Sequence, residues 1–112
     1  MDENIKKLLA LIEQNPGLPI VPMVDAEICG DDYGTYMGVW GAARVDEYII
    51  AKGDGLVLLK SNDDVFDVLE RVLPGEDFEA LLEAEAECRS AYDALPWTKA
   101  IIVDIVTPEA RL

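Results

Sequence analysis

The apolar positions of the chain follow two rhythms. Over residues 2–14, Ile5, Leu8, Leu9 and Ile12 recur at i, i+3, i+4 and i+7, the stripe of one helical face. Asp2 and Glu3 suit the N-terminal end of that helix, and Pro16-Gly17 stops it. Over residues 19–28 the period drops to two. Ile20, Val24, Ala26 and Ile28 share one face, while Val21, Met23, Asp25 and Glu27 share the other, whose carboxylates mark it as the solvent side. Pro22 cannot donate to a ladder, which predicts an edge strand or a bulge. Further extended stretches are predicted near 35–41, 43–52 and 56–60, the last two forming a hairpin through Gly53-Asp54-Gly55.

The helical period then returns. Ser61 followed three residues later by Asp64 reads as a variant capping box, opening a helix that turns Val65, Val68, Leu69 and Val72 inward. Pro74-Gly75 breaks it, and a longer helix over about 77–94 presents Phe78, Leu81, Leu82, Cys88, Tyr92 and Leu95 to a core before Pro96 ends it. "KAIIVDIVT", residues 99–107, is apolar on both faces and belongs in the middle of a sheet. The predicted order is α-β-β-β-β-α-α-β. This is an α+β fold, with a mostly antiparallel sheet of about five strands and three helices packed on one face.

At 112 residues, 51% of them hydrophobic, the chain is expected to form a single domain with its own core, despite a formal charge of −14. That charge comes from 23 acidic and 9 basic residues, a balance that disfavours direct binding to nucleic acid or anionic membranes. Cys29 and Cys88 are far apart and lack Cys-x-x-Cys spacing, as in a reduced intracellular setting. Neither a signal-type apolar run nor a run of membrane-spanning length occurs, so a cytoplasmic, soluble protein is expected.

The absence of histidine removes the commonest general base and every Ser-His or Cys-His nucleophile. "GDDYGTYMG" lacks the Gly-Lys-Ser/Thr of a phosphate loop, and its acidic pair would repel phosphate. Asp25, Glu27, Asp46 and Asp104 are the carboxylates on predicted strands that a metal-dependent reaction could use, but no calcium-loop spacing is present. Asp104, inside an apolar strand, must either find hydrogen bonds, which Lys99, Arg44 or a tyrosine hydroxyl could supply, or remain near water. No catalytic residue, cofactor or resident metal is assigned, and a non-enzymatic role is expected.

Two surfaces remain as binding candidates. Glu79, Glu83 and Glu87 recur at i, i+4 and i+8 on the predicted long helix, extended by Glu76 and Asp77 and interrupted only by Arg89. Asp63, Asp67 and Glu70 give the preceding helix a second acidic side. Like charges at i,i+4 weaken a helix, so this row reads either as a solubilising face or as a docking surface for a basic protein partner. The second candidate lies around "EICGDDYGTYMGVWGA". There Gly30 to Gly34 are expected to form a strand connection, with Tyr36 and Trp40 sharing one side of the next strand, beside Asp25 and Glu27. With Tyr33, they define the alternative of a small-ligand or divalent-metal site.

The stretches "LPIVPMVDAEICGDDYGTYMGVWGAARVDEY" and "KAIIVDIVTPE" resemble a group of uncharacterised small acidic proteins encoded by phages and mobile elements of gut bacteria. The resemblance covers roughly the first half of the chain and its last strand, and implies no catalytic or binding residues. Its implication is one of context. Small acidic proteins of mobile elements include inhibitors that imitate nucleic acid, which fits a module docking on a basic host protein.

Overall fold

The structure, a computed structural model, describes residues 2–29, 34–51, 53 and 55–111. Among them it contains helices α1 (Glu3–Gln14), α2 (Val65–Val72), α3 (Gly75–Leu82) and α4 (Glu85–Asp93), and strands β1 (Ile20–Val24), β2 (Val39–Ile50), β3 (Val57–Leu59) and β4 (Thr98–Val106). The class is α+β. The sheet order is β1-β4-β2-β3, with β1 parallel to β4 and β2 antiparallel to β3. The chain divides into two compact units, one of Met1–Asp46 with Lys99–Leu112 and one of Glu47–Thr98.

In the first unit, the Asp2 carboxylate accepts the Asn4 N–H at 2.8 Å and caps α1. At its other end the Asn15 N–H donates to Leu11, and Gly17 takes φ +90°, a left-handed turn suited to glycine. The buried Leu8 packs with Ala43 of β2 and Ile101 and Val103 of β4, and Leu11, Ile12, Leu18 and Val45 close around them. The stripe of α1 therefore centres on Leu8, Leu11 and Ile12. Leu9, expected inward, is 45% exposed, because only about a 100° arc of so short a helix meets the core. β4 is buried from Ala100 to Val103 and lies between β1 and β2, as its unbroken apolar run predicts.

In the second unit, Val68 and Leu69 of α2 form a buried cluster with Cys88 and Tyr92 of α4. Half-buried Val65, Val72, Phe78, Leu81, Leu95 and Trp97 pack onto it, with Ile49 and Leu58 from the hairpin. That hairpin forms as the spacing predicts, with Tyr48 opposite Leu59 and Ile50 opposite Val57.

Several expectations are corrected. The sheet has four described strands, because the separately predicted strands at 35–41 and 43–52 are one strand, β2, which starts only at Val39, and it is mixed because β1 runs parallel to β4. The first strand ends at Val24, where Asp25 turns the chain into a 3-10 turn over Ala26–Cys29. Asp25 and Glu27 consequently do not set the face of β1, and its sides are reversed: Ile20 and Val24 are exposed, while Val21 and Met23 are half-buried. The helix cap falls on Asp64, with no side-chain cap bond, and Asp63 takes a left-handed φ of 58°, so the Ser61–Asp64 capping box does not form. The predicted long helix is two, divided around Glu83 and Ala84. The break places Glu85 and Glu87 in a new first turn, where the helix dipole favours negative charge that mid-helix positions would not. Leu82, expected in the core, is 46% exposed beside that break.

Pro22 explains why β1 tolerates a proline. Pro19 O accepts from Ile101 N and Asp25 N donates to Ile105 O, so the odd-numbered residues of β1 bond to β4. The backbone groups of Ile20, Pro22 and Val24 then point to the outer edge, where the proline removes a donor from its middle. Pro22→Val should restore a continuous edge and raise concentration-dependent self-association in sedimentation velocity. Unchanged behaviour up to the solubility limit would show that Pro22 does not guard the edge.

Candidate functional site

The acidic helical surface belongs to the second unit. Residues 47–98 hold 13 acidic and 4 basic residues, which accounts for nine of the fourteen excess negative charges. The described cations of this unit are already engaged within it. Lys60 Nζ lies 3.5 Å from Glu47, Arg71 Nε 3.2 Å from Asp67 one turn earlier, and Arg89 grips Asp63 with two nitrogens at 2.5 and 3.0 Å.

The Arg89 pair is the most structured of these. Its hydrogen bonds hold the Asp63 carboxyl below its ordinary range, and Asp63 in turn raises the Arg89 guanidinium. The same guanidinium sits 5.6 Å from the centroid of the Tyr92 ring. Asp63 and Asp67 are therefore less available to a partner than their positions in the sequence suggest. No cation among the described residues lies within ion-pair distance of Glu70, Glu76, Asp77, Glu79, Glu83, Glu85 or Glu87, and all seven side chains are exposed. Glu79 and Glu83 lie on and at the end of α3, and Glu87 on α4, so the row of three spans two helices.

The aromatic candidate belongs to the first unit. Asp25 is a turn residue: its N–H donates to Ile105 O, its carboxylate accepts Glu27 N and its carbonyl accepts Ile28 N, each at 3.0 Å. An open crevice of about 320 Å³ lies beside it, lined by Met23, Val24, Asp25, Asp104, Ile105 and Val106. Asp104 finds its partner in Arg44, whose Nη1 is 3.4 Å away, while Arg44 Nε reaches Asp46 at 3.6 Å. The Asp46 side chain is only 7% exposed, although the residue as a whole is half-buried.

A second crevice, of about 240 Å³, lies past the carboxyl ends of the parallel pair. Glu27 and Ile28 reach it from the turn after β1, Thr107, Pro108 and Glu109 from the turn after β4, and Tyr36 and Met37 from the segment before β2. The structure thus joins Glu27 to Tyr36 but puts Asp25 on the other crevice. Trp40 lines neither of the two; it is 45% exposed, and its carbonyl accepts the Asn4 side-chain amide at 3.0 Å. Met37 is 71% exposed on the same crevice as Tyr36, because the regular strand that would put the two on opposite sides has not yet begun there. Tyr33 lies outside the described residues. Among the described residues no three carboxylate or thiol groups converge to hold a metal ion, and no helix is long and apolar enough to cross a membrane.

Glu109, Thr107 and Met37 escaped sequence reasoning. The available signal was the pairing of "VDAE" with "IVTPE", which becomes informative only when the two strands are known to run parallel. Comparison of the chain with known protein families, curated proteins and solved structures found no match.

Proposed function

We infer that the chain is a non-enzymatic, acidic interaction module that docks on a basic protein through the helical surface carrying Glu70, Glu76, Glu79, Glu83, Glu85 and Glu87. A host nucleic-acid-binding protein whose nucleic-acid groove the acidic surface occupies is the partner this chemistry favours. The observation that supports the reading is the division of charge in the second unit: its described cations pair with Glu47, Asp63 and Asp67, and the exposed helical glutamates have no ion-pair partner among the described residues. Helix stability accounts for Glu85 and Glu87 in the first turn of α4 but not for Glu79 and Glu83 toward the carboxyl end of α3, where the dipole disfavours negative charge, and a field of one sign steers a complementary partner.

The test begins with affinity capture using the folded chain as bait, followed by association kinetics of the captured basic protein. Replacing Glu79, Glu83 and Glu87 together with glutamine should slow association about three- to tenfold at low ionic strength, an effect that shrinks as salt screens the field. An association rate equal to that of the unsubstituted chain at low salt would remove the acidic helical surface from the interface.

A second reading, a small-ligand domain in the first unit, is supported by the crevice that brings Glu27 and Tyr36 together with Glu109 and Met37. Carboxylates there lie beside an aromatic ring and a thioether, a lining unlike that of the charged helices.

A further inference from the structure

We propose that the 240 Å³ crevice of the first unit binds a cationic group carried on an apolar stem, an alkylammonium or alkylguanidinium. The proposal rests on the small-ligand reading and assigns the chemistry of that ligand. The crevice exists because β1 and β4 are parallel. With Val24 paired to Ile105, both strands leave the sheet at the same end and turn at once, Asp25 into Ala26–Cys29 and Thr107 into Pro108–Arg111. Glu27 and Glu109 thereby reach one crevice from two separate turns.

The lining selects charge and shape together. Among the described residues its ionisable side chains are the two glutamates and the Tyr36 phenol with no basic group, and the chain's net charge is −14, so carboxylate and phosphate ligands are disfavoured. Ile28, Met37 and Pro108 supply apolar surface, and the Tyr36 ring and Met37 sulfur are polarisable groups that sit well against a cation or its stem. A volume of about 240 Å³ falls below the roughly 300 Å³ at which pockets for drug-sized molecules begin. It suits a group the size of a lysine or arginine side chain. Such a group could arrive as a free amine or as a side chain of a protein, and the two sources share this chemistry.

The test is an amide-resolved NMR titration of the whole chain at low ionic strength and neutral pH. The probes are n-butylammonium and n-butylguanidinium, with butyrate and 1-butanol as comparators and N-acetyl-lysine methylamide as the chain-embedded source. The cations should give saturable shifts at Ile28, Tyr36, Met37 and Thr107, and butyrate none. Glu27→Gln combined with Glu109→Gln should weaken n-butylammonium about fivefold, as expected for two solvent-exposed charge contacts, while leaving the remaining spectrum in place. Tighter binding of the lysine amide than of n-butylammonium would assign the source to a protein. If 1-butanol or butyrate produced the same saturable shifts as the cations, the cation chemistry would be wrong and the ligand crevice would stand. If no probe shifted these residues, the crevice and the small-ligand reading would fall together.

Discussion

Tyr92→Ala should lower the stability of the chain by about 3–5 kcal/mol, because Tyr92 is the largest fully buried side chain among the described residues and its removal leaves a cavity among the packed helices. The loss is expected to include more than volume. The Tyr92 ring meets Trp97 edge-on at 5.1 Å between centroids and carries the Arg89 guanidinium, its backbone carbonyl accepts the Trp97 indole N–H at 2.8 Å, and its hydroxyl donates to Lys60 O at 2.7 Å. One residue of α4 therefore anchors both the segment that leaves the helix and the turn that precedes α2. Urea denaturation followed by tryptophan fluorescence measures the effect, and a loss below about 1 kcal/mol would mean that the cluster around Val68 and Leu69 does not depend on the ring.

Tyr92→Phe separates the ring from the hydroxyl. It keeps the packing and removes the donor to Lys60, for an expected cost of about 1 kcal/mol at neutral pH. Burial raises the Tyr92 pKa, so the folded state holds the phenolic proton more tightly than the unfolded chain does. This contribution is fully present below the unfolded value of about 10 and is lost as pH rises through the higher folded value. Stability should thus fall above pH ~10 in the wild-type chain and fall less in Tyr92→Phe. An equal alkaline decline in both would trace it to other groups.

What the sequence made legible follows from how local each signal is. The stripe of α2, the hairpin joining β2 and β3 and the doubly apolar β4 depend on neighbours a few residues apart, and their periodicity survives in the structure. The division of α3 from α4 was not legible, because Phe78, Leu81, Cys88 and Tyr92 also fit one continuous helix and only the crowding of acidic charge disfavours it. The parallel pairing of β1 with β4 joins residues about eighty positions apart, and no local pattern carries that information. Without it, Glu109 cannot be placed beside Glu27. The acidic helical surface is visible as composition, and the i,i+4 spacing of Asp67 and Arg71 offers one of the pairs that partly neutralise it, whereas Arg89 and Asp63 are 26 residues apart and meet only through the fold.

Gly41→Ala is expected to destabilise the chain by about 1–3 kcal/mol, although it adds a single methyl group. A Cβ at this buried position would lie 2.9 Å from the Asp104 carbonyl oxygen and 3.2 Å from the Asp104 Cβ, so the backbone of β2 or β4 must move. That movement would also disturb Arg44, whose contact with Asp104 at 3.4 Å crosses the same pair of strands. Gly38 offers the contrasting case on the same strand approach. A methyl there would fall on Ile105 Cγ2, a side-chain atom, so Ile105→Ala should recover part of the loss caused by Gly38→Ala, and the two changes should be non-additive in that direction. No side-chain substitution can relieve Gly41→Ala in this way, because its obstacle is a main-chain oxygen. Denaturation midpoints of the two single variants and the double variant decide the matter. A neutral Gly41→Ala would show that β2 and β4 are further apart than the glycine implies, whereas a loss at Gly38 that Ile105→Ala relieves, beside a loss at Gly41, identifies these glycines as the residues that let the strand carrying Arg44 approach the strand carrying Asp104.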